Sequence, residues 1–154
     1  MDKKILTVTF HLLLFLSVVL LINALVACTE IKHERIPLWT GLAPVGGGIS
    51  DTTNAFITVY HPTKLNGAAV VIFPGGGYGR LVKESEGEDI AEWLNQNNIM
   101  GIVLEYRLPN GKPFAPLLDT QRAIRTVRSK ATEWKLDPNR IGTMGFSAGG
   151  NLAS

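Results

Sequence analysis

Three apolar runs constrain this chain more than any other feature: "AAVVIFP" at 68–74, "GIVLEY" at 101–106 and "IGTMGF" at 141–146. Each is short and rich in β-branched or other apolar residues, and none alternates with polar positions. A strand with one wet face would alternate, so the runs read as strands buried on both faces. Between the first two lies "SEGEDIAEWLNQNN", where Ile90, Trp93, Leu94 and Asn97 fall at helical spacing and the acidic residues crowd the first turns, where the helix dipole favours them. From about Ala115 to Trp134, the residues Leu117, Ile124, Val127, Ala131 and Trp134 mark a second helical face, with Asp119 and Arg122 spaced to pair on its surface. "DPNR" then reads as a turn. Strand, helix, strand, helix, strand requires βαβ crossovers, so the expected class is α/β, with a mostly parallel sheet and flanking helices. "AFITVYHP" adds a shorter strand upstream, ended by Pro62. Trp39, Trp93 and Trp134 are assigned to the core.

With 154 residues the chain bounds one modest domain. A formal charge of +2 without a basic run excludes nucleic acid as a partner. The start, "MDKKILTVTFHLLLFLSVVLLINALVACTE", sets Lys3 and Lys4 before an apolar core from Leu12 to Ile22, shorter than the ~20 residues of a membrane span. This is the layout of a secretory signal peptide, expected over residues 1–27. The sole cysteine, Cys28, follows Leu25-Val26-Ala27. That tetrapeptide resembles the bacterial lipobox, so Cys28 is the expected lipidation site. The expectation is an exported lipoprotein, at the periplasm or cell surface, with its membrane partner reached through the lipid. Ordinary cleavage near Ala27, a buried thiol and an uncleaved anchor remain as other readings. Residues 28–55 read as an irregular linker, and 56–154 as the folded domain.

Gly145-Phe146-Ser147-Ala148-Gly149 has the form G-x-S-x-G between an apolar strand and "AGGNLAS", a plausible helix. On a sharp strand-to-helix turn, side chains two residues either side of the serine would collide with neighbouring backbone. Such a turn lifts the Ser147 hydroxyl clear of the sheet and aims the Ala148 N–H at a developing negative charge. The other reading is a glycine-rich turn whose serine caps a helix. "FPGGGYG", from Phe73 to Gly79, follows the first buried strand directly. Its placement matches the second half of an oxyanion hole, with the Gly76 and Gly77 amides as candidate donors beside Ala148. Neither a P-loop nor G-x-G-x-x-G is present there. Glu105-Tyr106-Arg107 closes a strand at the edge where α/β folds bind ligands, although an Arg–Glu pair buttressing the sheet is the expected role. Asp119 is expected to be a helix-surface or buried structural partner of an arginine. His33 and His61 precede the first buried strand, and a triad histidine in this fold follows the serine.

With these motifs in place, the stretch from about residue 36 to 154 resembles the exported bacterial esterases of the acetyl esterase and acetylxylan esterase type. That group is similar to the hormone-sensitive-lipase branch of α/β-hydrolases and to bacterial feruloyl-esterase-like domains. Pro74 stands where the lipase branch has histidine, as in the acetylxylan-esterase-like relatives. The resemblance implies an α/β-hydrolase fold and a serine esterase that acts on acylated plant cell-wall carbohydrate without metal or organic cofactor. It implies Ser147 as nucleophile and Gly76, Gly77 and Ala148 as oxyanion donors. The family's acid and histidine lie after further strands, so the chain is expected to be C-terminally truncated and inactive, or nearly so, by itself. An exported serine peptidase of the prolyl-oligopeptidase type and a non-catalytic remnant of the fold remain as alternatives. The short stretch between Cys28 and the first strand leaves no room for the peptidase's upstream domain.

Overall fold

The computed structural model describes His11, Leu14, Phe15, Ser17 and residues 32–45 and 54–154. The chain divides into two units, residues 1–31 and 32–154. In the first, the four described residues are helical, and the Ser17 hydroxyl donates to the Leu14 carbonyl at 2.7 Å. No helix among the described residues is long and apolar enough to cross a membrane. The rest of the expected signal peptide, Cys28, and positions 46–53 of the expected linker lie outside the described residues.

The described residues of the second unit form a five-stranded sheet in the order β1-β2-β4-β3-β5. The strands are β1 (Lys32–Pro37), β2 (Phe56–His61), β3 (Ala69–Phe73), β4 (Met100–Glu105) and β5 (Ile141–Gly145). A π turn at Glu84–Glu88 leads into α1 (Asp89–Gln96), and α2 (Phe114–Ser129) joins β4 to β5. A short α3 (Ala148–Ala153) follows β5. β3 pairs in parallel with both β4 and β5, as the crossover pattern requires, while β1 and β2 add antiparallel pairs.

The unbroken apolar runs are explained by two cores. Val71, Phe73, Ile102 and Leu104 pack on one face with Ala123, Val127 and Trp134. Their neighbours Ile72 and Val103 point to the other face and meet Ala91 and Leu94 of α1. Because successive strand residues face opposite ways, both sets must be apolar when helices cover both sides.

Several expectations are corrected. Residues 32–37 form β1 rather than loop: Lys32 to Pro37 pair in register with His61 to Phe56. Charged over most of its length, β1 shows no apolar run, and its pairing with β2 defines it. The run at 141–146 is not buried on both faces. Gly142 and Thr143 are exposed, because among the described strands β5 pairs only with β3 and stands at an edge of the sheet. Trp93 is 56% exposed, since α1 turns Ala91 and Leu94 to the sheet instead, and Leu117 on α2 is 41% exposed.

Asp119 does not pair with Arg122 on the surface. It is fully buried, accepts the Arg107 backbone N–H at 2.9 Å and Nη2 at 2.8 Å, and accepts the Trp39 indole N–H at 2.7 Å. Arg107 also donates to the Pro44 and Val45 carbonyls, so this pair ties α2, the end of β4 and the segment after β1 together. Arg122 Nε donates to the Leu38 carbonyl at 3.2 Å. Nor do Glu105 and Arg107 pair with each other. Glu105 takes Arg35 Nε at 3.0 Å and Lys83 Nζ at 3.2 Å. Burial works against the Glu105 charge, but the Arg35 hydrogen bond and the Lys83 charge outweigh it, so its carboxyl sits below the ordinary 4.5.

Two outcomes are expected. Asp119→Ala leaves Arg107 buried without its carboxylate and should cost about 3–5 kcal/mol in urea unfolding; a loss under ~1 kcal/mol would show the pair to be incidental. Because the Glu105 pKa is lowered on folding, its contribution is present above pH 4.5 and is lost as the pH falls through the lowered value. Thermal melts of Glu105→Gln should therefore show a flatter acid limb than the parent; parallel limbs would refute this.

Candidate active site

Ser147 stands between β5 and α3 with φ 49° and ψ −113°, a conformation that non-glycine residues rarely occupy and that costs of order 1–3 kcal/mol. The turn is held by three backbone bonds: Phe146 N–H to the Phe73 carbonyl (3.1 Å), Gly149 N–H to Phe146 (2.7 Å) and Asn151 N–H to Ser147 (3.1 Å). Room for it comes from the absence of side chains. A Cβ on Gly145 would overlap the Gly149 carbonyl, and one on Gly149 would overlap the Phe73 carbonyl at the end of β3. The crowding expected from the G-x-S-x-G pattern is therefore present at both glycines. Ser147 itself is exposed, whereas Ala148 and Gly149 are buried.

The triple-glycine segment lies against this turn. A Cβ built on Gly75 would stand 2.7 Å from the Phe146 carbonyl oxygen and 3.2 Å from Ser147 Cβ. Gly76, Gly77 and Tyr78 have φ of 126°, 63° and 60° in succession, so the loop reverses tightly, with Gly79 and Arg80 N–H both donating to the Gly76 carbonyl. The Gly76, Gly77 and Ala148 amides make no hydrogen bond to any described residue. Ala148 opens a helix, where N–H groups are free by geometry.

Side chains that the sequence reading left unassigned hold the loop in place. Glu86 accepts the Gly75 N–H at 2.8 Å. The Tyr106 hydroxyl donates to the Pro74 carbonyl at 2.7 Å. Burial, then Tyr78 and Glu86, push its pKa to about 12, so it remains a donor at neutral pH. The Tyr78 hydroxyl shares its proton between the Ala148 carbonyl (3.1 Å) and Asn151 Oδ1 (2.9 Å), joining the loop to α3. Tyr78 and Tyr106 meet edge to face with centroids 6.4 Å apart. The only signals in the sequence were the tyrosine after the glycines and the tyrosine closing β4.

Neither His33 nor His61 reaches this edge. β2 runs antiparallel to β4 with Phe56 beside Glu105, so His61 lies at the far end of the sheet, next to Trp134. His33 packs on Tyr60 at 4.3 Å.

The BD-FAE family model matches residues 57–154. The chain belongs to the BD-FAE family. This BD-FAE chain is 42% identical over 106 residues to an acetylxylan esterase of Xylanibacter ruminicola, covering 69% of itself and 22% of that protein. It is 34% identical over 102 residues to an arylesterase of Saccharolobus solfataricus, covering 64% of itself and 33% of the relative. Among solved structures, an acetyl ester-xyloside bifunctional hydrolase from Caldicellulosiruptor lactoaceticus superposes with a TM-score of 0.71 at 38% identity, over 82% of this chain and 47% of that one. The fold is thus that of the α/β-hydrolase esterases, and the chain spans less than half the length of these relatives.

In this BD-FAE chain the closeness of α3 to β3 is the condition for the serine turn. Gly149→Ala should destabilise by at least the ~1–3 kcal/mol typical of overpacking, read as a lowered urea midpoint; an unchanged midpoint would show that the two backbones are not in contact.

Proposed function

We propose that this chain carries the nucleophile and the oxyanion-stabilising half of a serine carboxylic-ester hydrolase that deacetylates plant cell-wall carbohydrate. The observation that carries the reading is the exposed, conformationally strained Ser147 set against a glycine loop whose Gly76 and Gly77 amides, with that of Ala148, have no partner among the described residues. Strained backbone of this kind is retained where surrounding structure enforces it, most often at reactive sites. The names of the acetylxylan esterase and the acetyl ester-xyloside hydrolase support acetylated carbohydrate as the substrate class.

In this mechanism Ser147 Oγ attacks the ester carbonyl carbon. The carbonyl oxygen becomes an oxyanion that accepts N–H bonds from Gly76, Gly77 and Ala148, each worth about 10²–10³ in rate. Collapse expels the sugar hydroxyl and leaves an acetyl-serine, which water then hydrolyses. A base must take the Ser147 proton and return it to the departing oxygen. In a protein of the relatives' length, residues beyond β5 would supply that histidine and the carboxylate that orients it.

Placed in a chain of that length, Ser147→Ala should lower kcat for acetate release from acetylated xylo-oligosaccharides by about 10⁴–10⁶, with melting behaviour preserved. Release at the parental rate by the alanine variant would end the proposal.

A further inference from the structure

Beside the glycine loop, on the same edge of the sheet, lies a cleft of about 340 Å³, at the small end of the ~300–1,000 Å³ usual for small-molecule sites. It lies at the end of β4 and is lined by Leu81, by Arg35 of β1 and by the turn before α2. β4 is two strands from β5 in the sheet order, about 10 Å at the usual strand spacing. A short oligosaccharide could therefore reach both the cleft and Ser147.

The electrostatics of this cleft favour an anion. Glu105 is held by Arg35 and Lys83, while the Arg107 charge is met by buried Asp119. Lys112, exposed on the rim, forms no ion pair among the described residues. Among the described residues, Arg35 and Lys112 of the lining thus face the single carboxylate of Glu105, which Lys83 also holds, leaving an excess of two positive charges.

Arg35 is also set in a fixed orientation. Its guanidinium carbon stands 3.5 Å from the centroid of the Phe56 ring, and its Nε is bonded to Glu105. Plane and direction are both determined, while its two terminal nitrogens have no partner among the described residues. A guanidinium fork so placed matches a carboxylate bidentately. Lys112 is positioned by a tight turn, its N–H donating to the Pro109 carbonyl at 2.6 Å. Apolar Leu81, Leu108 and Pro109, with the amides of Asn54 and Asn110, complete a lining that suits a sugar ring.

We propose that this cleft is a subsite for a uronic-acid residue of the ester-bearing polysaccharide, with its carboxylate on the Arg35 fork and Lys112. The inference rests on the esterase reading for its substrate, but its test does not depend on catalysis. Titration of the 154-residue chain with methyl β-D-glucuronide and with methyl β-D-glucoside, followed calorimetrically, compares the same ring with and without the carboxylate. The glucuronide should bind about tenfold more tightly, the order expected of charge-assisted hydrogen bonds, and the preference should weaken as salt is raised. Arg35→Lys keeps the charge and removes the fork, and Lys112→Gln removes an exposed charge without disturbing the core. Each should erase most of the preference.

Equal affinity for the two glycosides, or a preference untouched by both substitutions, overturns the proposal. So does competition by acetate as strong as that by the glucuronide, which would show a site for any small carboxylate. Loss of the preference with Ser147→Ala still abolishing acetate release leaves the esterase reading standing alone. A preserved preference with acetate release unchanged by Ser147→Ala would remove the esterase reading and keep the cleft.

Discussion

The serine edge of the sheet depends on two backbones approaching without side chains between them. Gly149, in the first turn of α3, lies against the carbonyl that ends β3, and Gly145 lies against Gly149. Together they bring the start of a helix, the end of a central strand and the glycine loop to one point. The strain at Ser147 follows from that convergence, because the chain must turn from β5 into α3 within two residues. Packing of both sheet faces supplies the free energy that holds it, chiefly the burial of Phe73, Val71, Ile72 and their neighbours.

Around that convergence the loop is fixed by polar contacts from three directions: Glu86 from the π turn, Tyr106 from the end of β4, and Tyr78 reaching across to α3. Glycine-rich segments are conformationally permissive, so three consecutive glycines would wander without such ties. Preorganised amides are useful because no reorganisation is then required when charge develops. The arrangement reconciles a flexible composition with a single geometry.

The sequence made the parallel centre of the fold legible because both faces of β3 and β4 are covered, which leaves an uninterrupted apolar signature. It hid β1, whose Lys-His-Glu-Arg composition carries no periodic signal and whose structure comes from β2. It overstated the burial of β5, since apolar composition says what a strand can bury and not what is present to cover it. The serine turn was legible through its glycines, whose role is local. That Asp119 meets an arginine was legible, but that the arginine is Arg107, and the tyrosine ties, were not, because these contacts join residues 12 to 73 positions apart, and spacing along the chain carries no record of such meetings. Trp93 shows the same limit at short range: a helical period fixes relative angles around α1 but not which angle faces the sheet.

The two borders of the sheet are chemically unlike. β1 is charged and ends in proline, features that discourage an incoming strand, whereas β5 carries no charge and leaves Gly142 and Thr143 exposed. Growth of the sheet is therefore directional. A strand added beside β5 in parallel would end at the same edge of the sheet as Ser147, on the border that leaves Thr143 wet.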